Sequence, residues 1–268
     1  MQRRQAIAIA LAAAIGAIGS GFALAGTGER PTSVEIDSKI GKAAETTSSP
    51  SAWHTLASQA KKRKPLKFAS SELFIEINGT DGDAGLQLDL DGDAWRRAAL
   101  FAPNGRKVLD IAAKSTLRGY GLTGLTFESS EPPFAEQPFN RFKTLFPEGK
   151  YTFRGTTIEG RKVTGNDRLT HDIPEMPTVT SPAEDGVVSA NGFVVQWEPV
   201  TRPAGIEIEL YEVIISGDEA GLDASLPPSA TSLTVPSEVL MPGEYKVEVL
   251  AKEVGGNQII TEVAFTVE

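Results

Sequence analysis

Apolar and polar residues alternate along most of the chain after residue 70, and this period of two limits the fold more than any other feature. Residues 86–90 read Leu-Gln-Leu-Asp-Leu and residues 245–249 read Tyr-Lys-Val-Glu-Val. Such alternation puts every second side chain on one face of an extended strand. Turn dipeptides separate the runs, for example at Asn104-Gly105 and Glu159-Gly160. We therefore predict an all-β fold of antiparallel strands.

The dipeptide Asp91-Gly92 stands between the run at 86–90 and another apolar run at 95–101. Asp-Gly fits a two-residue hairpin turn, because both central positions of that turn require positive φ. We therefore predict two separate strands joined by a tight turn at this point.

A change of phase occurs between residues 206 and 215, where the apolar positions shift from even to odd numbers. One extra residue must be absorbed in this strand, and a β-bulge does so by setting two residues against one on the neighbouring strand. We predict the bulge at Leu210 or Tyr211.

The stretch Leu240-Met-Pro-Gly-Glu-Tyr245 places a turn before an aromatic residue that opens a long alternating strand. It resembles the corner before strand F of fibronectin type III domains. A Trp ends strand B in that family and a Tyr opens strand C, which correspond here to Trp197 and Tyr211. The resemblance covers residues 173–268 and implies a β-sandwich that serves as a spacer or a binding scaffold. We predict that Trp197 lies buried between its two sheets.

A similar stretch, Leu145-Phe-Pro-Glu-Gly-Lys-Tyr151, occurs earlier in the chain. Pro147 and Pro242 are 95 residues apart, which is the length of one sandwich module. In a tyrosine corner the ring fills the core while the hydroxyl bonds to main chain a few residues upstream. We therefore predict a second β-sandwich over residues 70–172, and thus two tandem antiparallel sandwiches. The alternative is chance, because Pro and Gly are common in turns.

Residues 1–25 are predicted to be a signal peptide, because Arg3 and Arg4 precede an apolar run and Ala23-Leu-Ala25 matches a small-residue cleavage site. The alternative is an uncleaved anchor, since the uncharged stretch is just long enough to span a bilayer. Residues 26–69 are rich in Ser and Thr and are predicted to be a disordered tether. The chain has no cysteine, and we expect a bacterial protein that is periplasmic or secreted.

The chain carries 26 basic and 35 acidic residues, a net charge of −9. Removal of residues 1–25 takes away two Arg and no acid, which leaves 24 against 35 and a charge of −11. This charge argues against binding to nucleic acid, which needs a basic footprint. The basic run Lys61-Lys-Arg-Lys64 is either a solvated part of the tether or a contact to an anionic lipid or polymer. A membrane partner is expected only through an uncleaved signal.

Five Asp residues lie within residues 81–93, and such a cluster suits a calcium ion. An EF-hand loop is excluded, because no register of the stretch has Gly at its sixth position and Glu at its twelfth. A strand over residues 86–90 would separate the two ends of the cluster by about 17 Å, so they cannot share an ion. Ordinary turn chemistry explains each end. If a metal binds, we expect its ligands to be Asn78, Asp81 and Asp83.

Candidate catalytic groups are few. His54 lies in the tether and His171 between the two modules, there is no Cys nucleophile, and no Gly-x-Ser-x-Gly elbow is present. We predict no catalytic residue and no cofactor.

The sequence therefore predicts an exported, non-catalytic binding or adhesion-type module of the cell envelope whose ligand is a protein or a polysaccharide. Two alternatives remain open. One is a purely structural spacer, and the other is a hydrolase accessory or carbohydrate-active protein that uses a pair of carboxylates.

Overall fold

Strands make up most of the chain that the computed structural model describes, which is residues 64–218 and 220–268. The predicted signal peptide and the predicted tether up to residue 63 lie outside the described residues. Within these ranges are two short helices, α1 (Leu117–Tyr120) and α2 (Phe139–Leu145), and no described helix is long or apolar enough to cross a membrane. The strands are β1 Leu66–Lys67, β2 Ser70–Asn78, β3 Asp83–Phe101, β4 Lys107–Ala112, β5 Leu122–Glu128, β6 Gly149–Thr157, β7 Lys162–Leu169, β8 Val179–Ser181, β9 Gly186–Val188, β10 Phe193–Trp197, β11 Ile208–Gly217, β12 Gly221–Leu226, β13 Ser232–Val235, β14 Gly243–Glu253 and β15 Gln258–Val267.

Twelve of these strands form one sheet that runs through both modules. Its order is β1-β7-β6-β3-β2-β15-β14-β11-β12, with β4 and β5 paired to β3 and β9 paired to β15. The other three strands form a small sheet in the order β13-β10-β8. We call residues 66–169 the first module and residues 179–267 the second module. The prediction of an all-β sandwich fold is confirmed.

Strand β3 is continuous through Asp91 and Gly92, so the predicted hairpin turn at this dipeptide is wrong. The first half of β3 pairs with β2 and β5, and its second half pairs with β6 and β4. A Cβ at Gly92 would lie 3.1 Å from the Phe68 ring, and the Ala69 N–H donates to the Asp91 carbonyl at 2.8 Å. Glycine is therefore needed here for close approach of the preceding chain rather than for a turn.

The core of the first module begins earlier than the sequence predicted. Phe68, which was assigned to the tether, is 7% exposed and packs edge to face on Trp95 with a centroid distance of 6.3 Å. β1 pairs in parallel with β7, with Leu66 opposite Val163. The first module thus begins at Leu66 rather than near residue 70.

The second module resembles a fibronectin type III sandwich in its strand arrangement. The sheet β13-β10-β8 packs against β11, β14 and β15, and the two layers meet through aromatic pairs. Trp197 is 3% exposed, with its ring centroid 5.5 Å from that of Tyr211. The prediction that Trp197 lies between the two sheets is confirmed.

The bulge in β11 lies one residue before its predicted place. Ile208 pairs with Glu253 and Leu210 pairs with Lys252, so Glu209 is the extra residue. Leu210 and Tyr211 continue the regular ladder, and the predicted position was wrong. The side chains explain the shift, because Glu209 is exposed whereas Tyr211 is buried in the core.

Both predicted tyrosine corners are present. Tyr151 is fully buried, and its hydroxyl donates to the Pro147 carbonyl at 3.1 Å. Tyr245 is 5% exposed, and its hydroxyl oxygen accepts the Met241 N–H at 3.2 Å. Each bond reaches back four residues along the chain. The prediction that the first module repeats this corner is confirmed.

Candidate functional site at the junction of the two modules

The two modules are joined edge to edge by strands β2 and β15. These strands run parallel, with Glu76 opposite Gln258 and Asn78 opposite Ile260. The ladder continues beyond β2, because the Gly79 N–H donates to the Ile260 carbonyl at 2.9 Å. The junction is therefore made of main-chain hydrogen bonds like those inside each module.

Asn257 extends the contact with the β2 edge to Ile75. Its side-chain oxygen accepts the Ile75 N–H at 2.9 Å, and its amide nitrogen donates to the Thr170 hydroxyl at 2.8 Å and to the Asp172 carbonyl at 3.1 Å. Asn257 is 1% exposed, and Glu253 holds its backbone N–H at 3.0 Å. A buried side chain with all its groups bonded allows little freedom, so it fixes the two modules relative to each other.

Polar side chains from both modules gather on one face of the sheet beside this joint. We call this surface the junction face. Strand alternation puts them there, because Ile75 and Ile77 of β2 point into the core and Glu76 points the opposite way. The junction face consists of Glu76 of β2, Gln87 of β3, Glu128 of β5, Glu131 of the following segment and Gln258 of β15.

Two carboxamides bridge the carboxylates of the junction face. The Gln87 amide nitrogen donates to Glu128 at 3.0 Å and to Glu76 at 3.3 Å. The Gln258 amide nitrogen donates to the second oxygen of Glu76. Glu76 thus accepts hydrogen bonds from the first and the second module, which orients its carboxylate across the joint.

The Pro-rich segment after β5 places Glu131 over β3. Ser129 fixes it, because its hydroxyl accepts the Leu86 N–H at 2.9 Å and its N–H donates to the Leu86 carbonyl at 3.0 Å. The Phe134 N–H donates to the Gly82 carbonyl at 2.8 Å. A Cβ at Gly85 would lie 2.3 Å from a Glu131 carboxylate oxygen. Glycine at this position therefore makes the space that the carboxylate occupies.

Burial, together with the charges of the neighbouring carboxylates Glu128 and Glu76, raises the pKa of Glu131 to about 8. Burial also raises the pKa of Glu76, although the hydrogen bond from Gln258 opposes this shift. The cause is the same for both groups, because ionised carboxylates lose hydration and repel one another here. Glu131 is consequently protonated at neutral pH and can donate a hydrogen bond.

Carboxylate oxygens of Glu76, Glu128 and Glu131 all lie within 4.8 Å of one another. Oxygen atoms at such separations can bind one hard cation, because calcium takes oxygen ligands at about 2.3–2.6 Å. They can equally share protons, as the raised pKa of Glu131 indicates. The arrangement therefore offers either cation binding or hydrogen bonding to hydroxyl groups.

The residues that the sequence named as weak metal candidates lie at the β2–β3 turn beside this face. The Asn78 side-chain oxygen accepts the N–H groups of Thr80 and Asp81, both at 3.0 Å. Burial and the charge of Asp81 raise the pKa of Asp83. Asp91 lies eight residues along the same strand, roughly 27 Å away. Metal binding by Asn78, Asp81 and Asp83 stays a prediction.

A second carboxyl pair lies on the same side of the sheet in the second module. Glu212 of β11 is 6% exposed, and Asp223 of β12 is diagonal to it across the ladder. Burial raises the pKa of Glu212, and so do the charge of Asp223 and a hydrogen bond between the two side chains. Acidic groups therefore continue from the junction face across the second module.

His171, which the sequence placed between the modules, has a structural role. Its ring Nε2 lies 2.8 Å from the Phe146 carbonyl, and its backbone N–H donates to Glu148 at 2.8 Å. The carbonyl can only accept, so Nε2 carries the proton in this contact.

Sequence reasoning missed Glu76, Gln87, Glu128, Glu131 and Gln258. Alternation within β2 was visible and places Glu76 on the outer face, which is the one signal that could have found it. The pairing of Glu76 with Gln258 joins residues 182 positions apart, and no local pattern predicts such a contact.

No family model and no curated protein matches this chain. Solved structures that share features with it include the Clostridium perfringens spore cortex lytic enzyme SleM, with 20% identity, a TM-score of 0.27, and coverage of 35% of this chain and 28% of that one. A segment of two fibronectin type III domains from chicken tenascin has 14% identity and a TM-score of 0.27, over 74% of this chain and 98% of that one. A tetra-tandem repeat from the extending region of a large adhesion protein has 13% identity and a TM-score of 0.25, over 74% and 50%. The chain thus spans about a quarter of SleM and half of the adhesion repeat, and the fold assignment rests on strand order and on the two tyrosine corners.

Proposed function

We propose that this protein is an exported, non-catalytic binding module of the cell envelope, and that its ligand is a polysaccharide bound at the junction face. Export is supported by the pattern of residues 1–25. The observation that carries the proposal is the set of carboxylates and carboxamides that both modules contribute to one fixed surface.

The chemistry of these groups suits sugar hydroxyls. A hydroxyl both donates and accepts hydrogen bonds. The carboxamides of Gln87 and Gln258 and the protonated carboxyl of Glu131 can also do both, and the Glu128 carboxylate accepts. Glu128 is exposed and Glu76, Gln87 and Glu131 are half-buried, so a ligand can reach these groups from solvent. Because Asn257 holds the two modules in place, the ligand meets groups that are already positioned, which lowers the entropy cost of binding.

Affinity electrophoresis of the full chain through gels that contain soluble envelope polysaccharides tests the proposal. The variant Glu128→Ala removes an exposed carboxylate without touching the core. We expect it to weaken retardation about tenfold, since it removes an acceptor for sugar hydroxyls and one of the two carboxylates that orient Gln87. The matched control is Glu198→Ala, an exposed carboxylate after β10, which should bind as the wild type does. Equal binding by both variants would place the ligand elsewhere, and release of sugar fragments from the same polymers would contradict the non-catalytic part.

A second candidate function is a rigid structural spacer, and the buried network of Asn257 favours it. A spacer needs a fixed geometry but no ligand. It becomes the better account if polysaccharides and an extract of envelope proteins both fail to bind while the two modules unfold in one transition.

A further inference from the structure

Several loops and the first described residues meet at the end of the first module that lies opposite the junction along β2. This strand has nine residues, so the two ends are roughly 30 Å apart. Here the Ile158 N–H donates to the Ala94 carbonyl at 3.1 Å, and Leu66 of β1 lies opposite Val163 of β7. We call this region the distal end; it comprises residues 64–66, 93–96, 113–121 and 158–162.

The distal end is basic although the chain as a whole is acidic. Within the part of the chain that the structure describes, none of its cations makes an ion pair. Its acids are Asp93 and Glu159, whereas the net charge of the whole chain is −9. By sequence, the three residues before Lys64 are also basic. The cations of the distal end are Lys64, Arg96, Lys114, Arg118, Arg161 and Lys162.

A segment with exposed apolar side chains, which includes α1, projects from this end. Residues 114–120 are all exposed, and within them Tyr120 is 78% and Leu117 is 46% exposed. The loop is held at its base, because the Ala113 N–H donates to the Arg96 carbonyl at 2.9 Å. At the other side of the base, Gly121 has φ +82°, and a Cβ there would lie 2.8 Å from Ile158. The exposed residues are thus presented on a fixed support.

We propose that the distal end docks on an anionic phospholipid bilayer, with Leu117 and Tyr120 in the headgroup region and Lys114 and Arg118 on lipid phosphates. Tyr is suited to this depth because its ring is apolar and its hydroxyl reaches water. Lys and Arg near such a surface gain from its negative potential. The proposal does not depend on the ligand of the junction face.

The exposed apolar pair favours a bilayer over a soluble polyanion. A soluble polyanion binds through charge alone, so Leu117 would add nothing to its affinity. The affinity for a bilayer increases with both the charge and the apolar area that is buried. Two apolar residues and a few cations give weak and reversible attachment, which high salt should reverse because surface charges are screened.

Vesicle sedimentation of the full chain tests this proposal. The probes are vesicles of phosphatidylcholine alone and of phosphatidylcholine mixed with phosphatidylglycerol. All variants share the same N-terminal residues, so differences between variants report on the distal end. We expect Lys114→Gln with Arg118→Gln to lower partitioning onto the anionic vesicles roughly 30-fold, or about fivefold for each charge. The matched control is Lys150→Gln with Arg168→Gln, which changes the net charge by the same amount. Both residues lie at the ends of β6 and β7 that are remote from the distal end, so this variant should partition as the wild type does.

A fluorescent label distinguishes contact by the loop from contact by another part of the chain. The chain has no Cys, and a Cβ at Gly119 meets no atom within 4 Å, so Gly119→Cys carries an environment-sensitive dye without disturbing the fold. Its emission should shift to shorter wavelength on anionic vesicles, and Leu117→Ser with Tyr120→Ser should abolish the shift. A dye on Ser232→Cys in the second module should not respond.

Three outcomes would overturn the proposal. The first is equal loss of vesicle binding in the test and control charge variants, which would mean that binding depends on the net charge of the protein and not on the distal end. The second is an unchanged dye at position 119 on vesicles that do sediment the protein. The third is tight binding to a soluble anionic polysaccharide that Lys114→Gln with Arg118→Gln weakens and Leu117→Ser with Tyr120→Ser leaves intact, since this would make the distal end a polyanion site.

Discussion

The two tyrosine corners bury the same ring in the same way but hydrogen-bond in opposite directions. In the first module the Tyr151 hydroxyl donates to the carbonyl of Pro147. In the second module the Tyr245 hydroxyl accepts the N–H of Met241. The partner is four residues upstream in both, but proline is four residues upstream of Tyr151 and three upstream of Tyr245.

Proline explains the reversal. It has no N–H, so the residue at position 147 can offer the tyrosine only its carbonyl. Met241 precedes the proline of its corner and retains an N–H. A phenol hydroxyl can donate or accept, and a shift of proline by one residue therefore changes the direction of the bond without loss of the corner. The comparison shows that the buried tyrosine ring defines this motif. The direction of the hydroxyl hydrogen bond depends on whether the residue four positions upstream has an N–H.

The largest effect is expected from the buried tryptophan in the core of each module. Trp197→Ala and Trp95→Ala should each cost on the order of 3–5 kcal/mol of unfolding free energy, because each removes a buried indole that the core cannot refill. Denaturant unfolding of the full chain measures both losses. A loss below about 1 kcal/mol for either variant would show that its module does not depend on that ring.

The contacts of Asn257 between the two modules determine whether the modules unfold as one cooperative unit. Asn257→Ala leaves the buried Ile75 N–H without a partner and should cost at least about 2 kcal/mol, since one such group alone costs about 1–3 kcal/mol. It should also split thermal unfolding into two transitions, one for each module. Asn104→Ala is the control, because its side chain accepts a backbone N–H in an exposed turn. A single transition in Asn257→Ala would mean that main-chain pairing alone couples the modules.

The variants Tyr151→Phe and Tyr245→Phe compare the two corners directly. Each removes one hydrogen bond and should cost about 1–3 kcal/mol. We expect Tyr151→Phe to cost more, because Tyr151 is fully buried, whereas Met241 is 62% exposed and its N–H can be hydrated after the loss. Urea melts of both variants at one pH measure the difference. The reverse order would show that a lost N–H partner outweighs burial at these corners.

The smallest effect is a pH dependence that belongs to the first module. The pKa of Glu131 is raised from its ordinary value of 4.5 to about 8, so the folded state holds this proton more tightly than the unfolded state does. The stability it contributes is complete below about pH 4.5 and is lost as the pH rises through 8. After allowance for partial exposure, the difference between pH 5 and pH 8 should be about 1 kcal/mol.

Thermal melts of wild type and Glu131→Gln at pH 5 and pH 8 measure this contribution. Glu131→Gln should be less dependent on pH than the wild type, and Glu198→Gln, which lies outside the cluster, should follow the wild type. Parallel curves for wild type and Glu131→Gln would show that the carboxyl group is ionised in the fold.

The sequence by itself determined the strands, most turns and both corners, because these depend on neighbours in the chain. Alternation at residues 86–90 and 245–249 placed alternate side chains in the core, and Pro and Gly before Tyr151 and Tyr245 marked the corners. The candidate site was predictable only in part. Glu76 follows from alternation in β2, but Glu131 lies over Gly85 only because Ser129 pins the segment after β5.

The tertiary structure alone decided how remote segments meet. Asp91-Gly92 has the composition of a turn, yet β3 runs straight through it, because the approach of Phe68 and Ala69 needs a residue without a side chain. Likewise, β2 and β15 pair across 182 residues, and this pairing brings Gln258 to Glu76. The local cost of glycine inside a strand is about 0.5–1 kcal/mol, whereas the packing and hydrogen bonds of a whole strand contribute several times more. Long-range packing therefore decided these positions.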